Sequence, residues 1–130
     1  MLLVDTSVWV LVGRGTYDLD GSLLDEDFAV CPPIVQEALQ GADEYEAPLL
    51  RALMFRLPML DESVPFARFE YAIEIYTRCR RKGKTIRSSI DCLIAATAVM
   101  NDVPLLHNDR DFDFIAEVAP LQTVRPFTRS

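Results

Sequence analysis

Histidine is nearly absent from this chain and cysteine is scarce, with one His and three Cys in 130 residues. Cys31, Cys79 and Cys92 are odd in number and fit no metal-ligand spacing, which points to reduced thiols in a cytosolic protein. Cys92 falls within an apolar helical pattern, so no catalytic cysteine is expected. Positive charge is also short: 13 basic residues stand against 20 acidic ones, giving −7 at pH 7. With a sequence pI near 4.6, attraction to a nucleic acid by net charge alone is excluded, and any polyanion must be met locally. Long apolar runs are missing too. The opening MLLVDTSVWVLV lacks a basic leading segment, is interrupted by Asp5 and is too short to span a bilayer, so no signal peptide and no membrane partner are expected.

Apolar residues make up 50% of the chain and mean hydropathy is +0.12, enough for one substantial core and one domain over residues 1–130. Leu2-Leu3-Val4 reads as a buried strand, and Asp5-Thr6-Ser7 directly after it can cap a helix that runs to Gly13 and Gly15. Phe28 to Cys31 reads as a second strand, followed by a helix that starts at Pro32-Pro33 and stops at Gly41. Pro48 to Met54 is helical and apolar on more than one side, and Leu57 to Leu60 is a weak strand candidate. Phe66, Phe69, Ala72, Ile73 and Tyr76 recur at helical spacing; they and Trp9 read most simply as core. Ser88 or Ser89 caps the next helix, with Ile90, Leu93, Ile94, Thr97 and Ala98 as its buried stripe. Val103 to Leu106 reads as a strand, Asp111 to Val118 as a short helix and Leu121 to Val124 as a last strand. Strands alternating with helices predict an α/β fold: a central, mostly parallel twisted sheet of four to five strands with helices on both faces.

The acids fall where that topology concentrates chemistry. Asp5 follows the first strand and Asp109 the strand at Leu105-Leu106, so both should lie at the same sheet edge. Glu37 and Asp91 sit in the first turns of their helices and can point to that edge as well. Four carboxylates in one cleft repel, so the arrangement makes sense mainly with a divalent cation, and oxygen donors without His or Cys neighbours select Mg²⁺ or Mn²⁺. Plainer readings stand beside each acid. Asp5 can be only an N-cap, Ser88-x-x-Asp91 resembles a capping box, Glu37 can lie on a solvated face, and Asp109 or Asp111 can cap the helix near Phe112. Their joint placement favours function. His107, the lone histidine at a strand end, reads as a packed or hydrogen-bonding residue without a catalytic role.

The blocks LLVDTSVWV at 2–10, IVQEAL at 34–39, SIDCLIAATAV at 89–99 and LLHNDRDFDFIA at 105–116 resemble, in order, those of PIN-domain proteins, and more closely the VapC-type toxins of toxin–antitoxin pairs. The resemblance implies a PIN-like single domain and a metal-dependent endoribonuclease with Asp5, Glu37, Asp91 and Asp109 as its acidic quartet. It further implies Asp111 as a nearby supporting acid and Thr6 or Ser7 as hydroxyls that order the site. His107 departs from the family, which commonly has threonine there.

The expected reaction is phosphodiester hydrolysis, with Mg²⁺ or Mn²⁺ held by Asp5, Asp91 and Asp109 and with Glu37 completing the site. Arg78, Arg80, Arg81, Lys82, Lys84 and Arg87 gather 6 of the 13 basic residues just before Asp91; they read either as a solvated helix end or as RNA contacts. Expected partners are an RNA substrate, a cognate VapB-type antitoxin that brings Arg or Lys into the acidic cleft, and a second copy of the chain, met through the apolar segment at 48–54. A receiver domain is disfavoured because no lysine follows Lys84, and a haloacid-dehalogenase-type phosphatase because Ser7 stands where its second Asp would be. The alternative that stays open is a non-catalytic PIN domain serving as a binding scaffold.

Overall fold

The computed structural model of the chain describes residues 1–19 and 27–127. Among them lie four strands, β1 (Leu2–Val4), β2 (Phe28–Ala29), β3 (Leu105–Leu106) and β4 (Thr123–Val124). The six helices there are α1 (Thr6–Gly13), α2 (Pro32–Gly41), α3 (Glu46–Met54), α4 (Phe66–Arg81), α5 (Ser89–Met100) and α6 (Arg110–Ala116). The strands form one sheet in the order β2-β1-β3-β4, and every neighbouring pair is parallel. β1 and β3 are central, with Leu3 opposite Leu105 and Val4 opposite Leu106. All four of those side chains are fully buried, which is why both strands read as unbroken apolar runs rather than alternating ones. The weak candidate at 57–60 contributes a single parallel bridge, Val30 to Met59, in place of a fifth full strand.

Local signals explain the helix starts. Asp5 caps α1, its carboxylate accepting from the Ser7 N–H, and Pro32 and Pro33 occupy the first turn of α2. Gly15 takes a φ of 74°, a conformation glycine adopts without strain, as the chain leaves α1. Trp9 is fully buried and its Nε1–H donates to the Val4 carbonyl at 3.0 Å, which locks α1 back onto the end of β1. Truncating it to alanine removes packing and a paired donor together, worth about 3 to 5 kcal/mol.

The helices pack in two groups, α1 with α2 and α3, and α4 with α5 and α6, joined by a contact between α2 and α5. One expectation for a helix face fails here. In α4 the residues turned to the core are Ala72, Ile75 and Cys79, whereas Phe66, Phe69 and Ile73 are 71%, 43% and 64% exposed. The helix therefore has two apolar stripes, and only one meets α5 and α6. In α3, which carries the apolar segment at 48–54, Leu50 is 2% exposed and Met54 fully buried, so these two belong to the core. The exposed apolar side chains there are Leu49 and Phe55, the latter beneath the Arg51 guanidinium at 4.6 Å.

Candidate active site

The chain leaves β1 toward β2 on one side of the sheet and leaves β3 toward β4 on the other. Adjacent parallel strands whose connections depart in opposite directions open a crevice at their C-terminal ends. Asp5 is the residue after β1, and Asp109 lies three residues beyond β3. A cleft of about 390 Å³ opens there, lined by Asp5, Thr6, Ser7, Glu37, Arg87, Ser88, Asp91, Asp109 and Asp111. The structure thus brings together all four acids of the expected quartet and each expected supporting residue.

Short-range hydrogen bonds set the acids in place. The Ser7 hydroxyl donates to Asp5 Oδ2 at 2.6 Å and accepts from the Asn108 backbone N–H at 2.8 Å, so one side chain ties the end of β1 to the loop after β3. The Ser7 N–H reaches the same Asp5 oxygen at 3.0 Å. Asp5 Oδ1 is left buried without a hydrogen-bond partner among the described residues. Thr6 Oγ1 donates to Glu37 Oε1 at 3.1 Å, drawing a residue of α2 toward the β1 edge. Asp109 caps α6, its Oδ1 accepting from the Asp111 N–H at 3.0 Å. Ser88 makes no side-chain cap bond to α5, so the capping-box reading of Ser88 and Asp91 is not realised.

Packing these acids together has an electrostatic consequence. Burial pushes the Asp91 carboxyl from its ordinary 3.8 up to about 8, with repulsion from Asp5, Asp109, Glu37 and Asp111 adding to it. Burial also lifts Asp5 to about 6, although the Ser7 hydrogen bonds oppose the rise. Asp91, Asp109 and Asp111 each present a carboxylate oxygen within 4.8 Å of the others. Asp111, expected from sequence as a supporting acid, thus stands within this close group together with Asp91 and Asp109. Hard oxygen donors at this spacing, beside an orphaned buried oxygen of Asp5, are the donor chemistry that suits a divalent cation.

Residues 2–118 match the family model of the PIN domain. Ribonuclease VapC11 of Mycobacterium tuberculosis is 40% identical over 132 residues, covering 94% of this chain and 96% of that protein. The chain is a PIN-domain protein of the VapC family. VapC ribonuclease Mb1587 of Mycobacterium bovis is similar to the same extent, 40% over 132 residues with 94% and 96% covered. Among solved structures, DNA-bound VapBC from Salmonella typhimurium superposes with a TM-score of 0.75 at 18% identity, over 96% of this chain and 98% of that one. At that identity the likeness speaks for the fold. Among the described residues, no helix of this VapC-family chain is long and apolar enough to cross a membrane.

The basic stretch of this PIN domain divides by contact. Arg78 donates to the Val118 carbonyl at 3.0 Å and pairs with Glu74, and Lys84 Nζ lies 4.5 Å from the Phe114 ring centre. Arg80, Arg81 and Lys82 are exposed at the end of α4. Of the six, Arg87 alone lines the cleft. His107 is fully buried; its Nδ1 accepts the Asp109 N–H at 3.2 Å and its Nε2 lies 3.6 Å from Asp113 Oδ1. Burial, more than the nearby Arg125, lowers its pKa, so the ring is a neutral strut behind Asp109. Sequence placed the histidine but not its partners, because Asp113 and Arg125 reach it only through the fold. Burial pushes the Cys31 and Cys92 thiols up to about 12, far from a thiolate.

Proposed function

We propose that this VapC-family chain, acting as a single PIN domain over residues 1–130, is a divalent-metal-dependent endoribonuclease toxin that hydrolyses RNA phosphodiester bonds. The observation that carries the reading is the gathering of Asp5, Glu37, Asp91, Asp109 and Asp111 in one open cleft at the β1–β3 crevice. Asp91, Asp109 and Asp111, with the unpaired Oδ1 of Asp5, would hold Mg²⁺ or Mn²⁺. The bound ion would supply Lewis-acid polarisation of the phosphate and a water of lowered pKa. Ser7 fixes Asp5 and the loop carrying Asn108, so that the two sides of the crevice keep their spacing. Thr6 orients Glu37 at the cleft, where its carboxylate would hold a metal-bound water or a second ion.

The purified chain is expected to cut structured RNA with Mg²⁺ or Mn²⁺, to stop with chelator, and to stop again on Asp5→Asn or Asp91→Asn while remaining folded. Cleavage undiminished by chelator and by both substitutions refutes the reading. RNA bound but left uncut under every metal condition would instead favour the scaffold alternative.

We further propose a VapB-type antitoxin as the inhibitor. An apolar groove of about 420 Å³ runs between α4 and α5, lined by Phe69, Ala72, Ile73, Tyr76, Thr77, Ser89, Ile90, Cys92 and Leu93. Ser89 and Ile90 of the groove lie in sequence between Ser88 and Asp91 of the cleft, so the two surfaces meet at the start of α5. An antitoxin helix in the groove with an Arg directed at the carboxylates fits both, since the planar guanidinium pairs with carboxylates in bidentate fashion. Co-expression with the antitoxin should rescue growth and yield a complex in the cytoplasm. A homodimer is proposed as well, with Leu49 and Phe55 as its apolar contacts.

A further inference from the structure

We infer that Arg87 is an exchangeable counter-ion: its guanidinium competes with the divalent cation for Asp109 and Asp111, and the guanidinium that the ion displaces contacts an RNA phosphate. The inference rests on the nuclease reading and deepens it. Arg87 Nη2 lies 3.4 Å from Asp109 Oδ1 and its Nε 3.4 Å from Asp111 Oδ2. Both distances are beyond the usual range for a charged hydrogen bond, so neither pair is tight. The two partners differ in how firmly they are held. The Asp111 side chain is 4% exposed and that of Asp109 26%, whereas that of Arg87 is 69% exposed. Asp109 is further fixed as the cap of α6. A cation arriving at these oxygens therefore meets fixed anions and a loose guanidinium, and the guanidinium is what moves.

The backbone of Arg87 stays put while its side chain is exchanged. Ile86 beside it is buried, and the Arg87 N–H points at Asp111 Oδ2 at 3.3 Å. The freed side chain thus remains at the rim of the cleft. Among the described residues lining that cleft, Arg87 is the one cation against five carboxylates. Arg78 and Lys84 are engaged elsewhere, with the Val118 carbonyl and the Phe114 ring. A polyanion entering the cleft consequently meets Arg87 as the positive side chain of its lining.

Competition with the ion and contact with RNA shift two measurements in opposite directions upon one substitution. In calorimetric titration of the full chain with Mn²⁺ alone, Arg87→Gln is expected to bind the ion roughly two- to fivefold tighter, because an exposed competitor of that strength is gone. In RNA cleavage at saturating Mn²⁺, its KM should rise by roughly fivefold with kcat moving less. The dependence of log KM on log salt should flatten by about 0.7, the loss of one single-strand phosphate contact. Arg87→Lys, which keeps the charge without the fork, should fall between wild type and Arg87→Gln on both. Unchanged or weaker Mn²⁺ binding by Arg87→Gln overturns the competition, and an unchanged KM and salt slope overturn the phosphate contact. Wild type and Asp91→Asn together separate the two levels. If wild type and variants alike cut no RNA with any metal, or cut it equally with chelator present, the nuclease reading itself fails; if Asp91→Asn abolishes Mn²⁺ binding and cleavage while Arg87→Gln behaves as wild type, only the role of Arg87 is lost.

Discussion

Replacing Asp91 by asparagine should stabilise the metal-free protein, the reverse of what loss of a buried polar partner usually does. Asp91 is nearly buried at the start of α5, and its carboxyl is raised from 3.8 to about 8, by burial first and then by its acidic neighbours. Below pH 3.8 the group is protonated whether the chain is folded or not, and it leaves stability unchanged. As pH rises above that value the unfolded chain releases the proton while the folded chain keeps it, so folding is opposed by about 1.4 kcal/mol for each pH unit. The penalty grows until pH reaches the folded-state value near 8 and is level above it. Taken at face value it approaches about 4 kcal/mol at pH 7; solvent reaching the open cleft brings the expected figure to about 2 to 3 kcal/mol.

Asparagine is neutral at every pH and escapes the penalty. Urea unfolding with chelator present, at intervals from pH 4 to pH 8, should show Asp91→Asn gaining on wild type steadily across that range and matching it near pH 4. Adding Mg²⁺ at pH 7 should reverse the order, because only wild type retains the full carboxylate cluster to gain binding energy from the ion. An asparagine variant less stable than wild type at pH 7 without metal would refute the reasoning. So would a stability difference that ignores pH.

Three other perturbations follow from particular contacts. His107→Leu removes the acceptor for the Asp109 N–H and should cost about 1 to 3 kcal/mol in urea unfolding, while His107→Asn keeps an acceptor near Nδ1 and should lose less; equal losses would deny the strut its role. Ile73→Glu places a charge in the α4–α5 groove at an exposed position, so co-purification with the antitoxin should fall at least tenfold, about 1.4 kcal/mol, while metal-dependent cleavage by the free chain persists; capture at full strength would remove the groove from the interface. Leu50→Glu should unfold the chain by burying an unpaired charge, as seen by circular dichroism, whereas Leu49→Glu should leave it folded and shift light scattering from dimer to monomer.

The acids were legible because their placement depends on short stretches of chain. Asp5 follows its strand directly, and Glu37 and Asp91 lie within two turns of helix starts marked by Pro32-Pro33 and Ser88. A parallel sheet then carries such positions to one edge whatever the details of packing. The position of Asp111 beside Asp91 and Asp109 has an equally local cause. The last helix starts at Arg110 rather than Asp111, so Asp109 becomes its cap and Asp111 joins the first turn beside the cleft. Partners far along the chain, such as Asp113 and Arg125 around His107 or Asp109 and Asp111 around Arg87, needed the fold itself.

Helix faces failed for a different reason. Periodicity tells that a face is apolar; it does not tell what covers the face. In α4 the spacing of Phe66, Phe69, Ala72, Ile73 and Tyr76 suggests one broad core stripe, yet the fold buries Ala72, Ile75 and Cys79 and leaves Phe66, Phe69 and Ile73 to solvent. A helix that must hold its own core and also receive a partner needs two adjoining apolar stripes, and in one dimension these merge into one. The misread residues Phe69 and Ile73 therefore fall in the groove, which meets the acidic cleft at the start of α5, rather than scattering over the surface. A second helix laid along Phe69 and Ile73 would complete the burial that the periodicity anticipates, and its end would arrive beside Asp91.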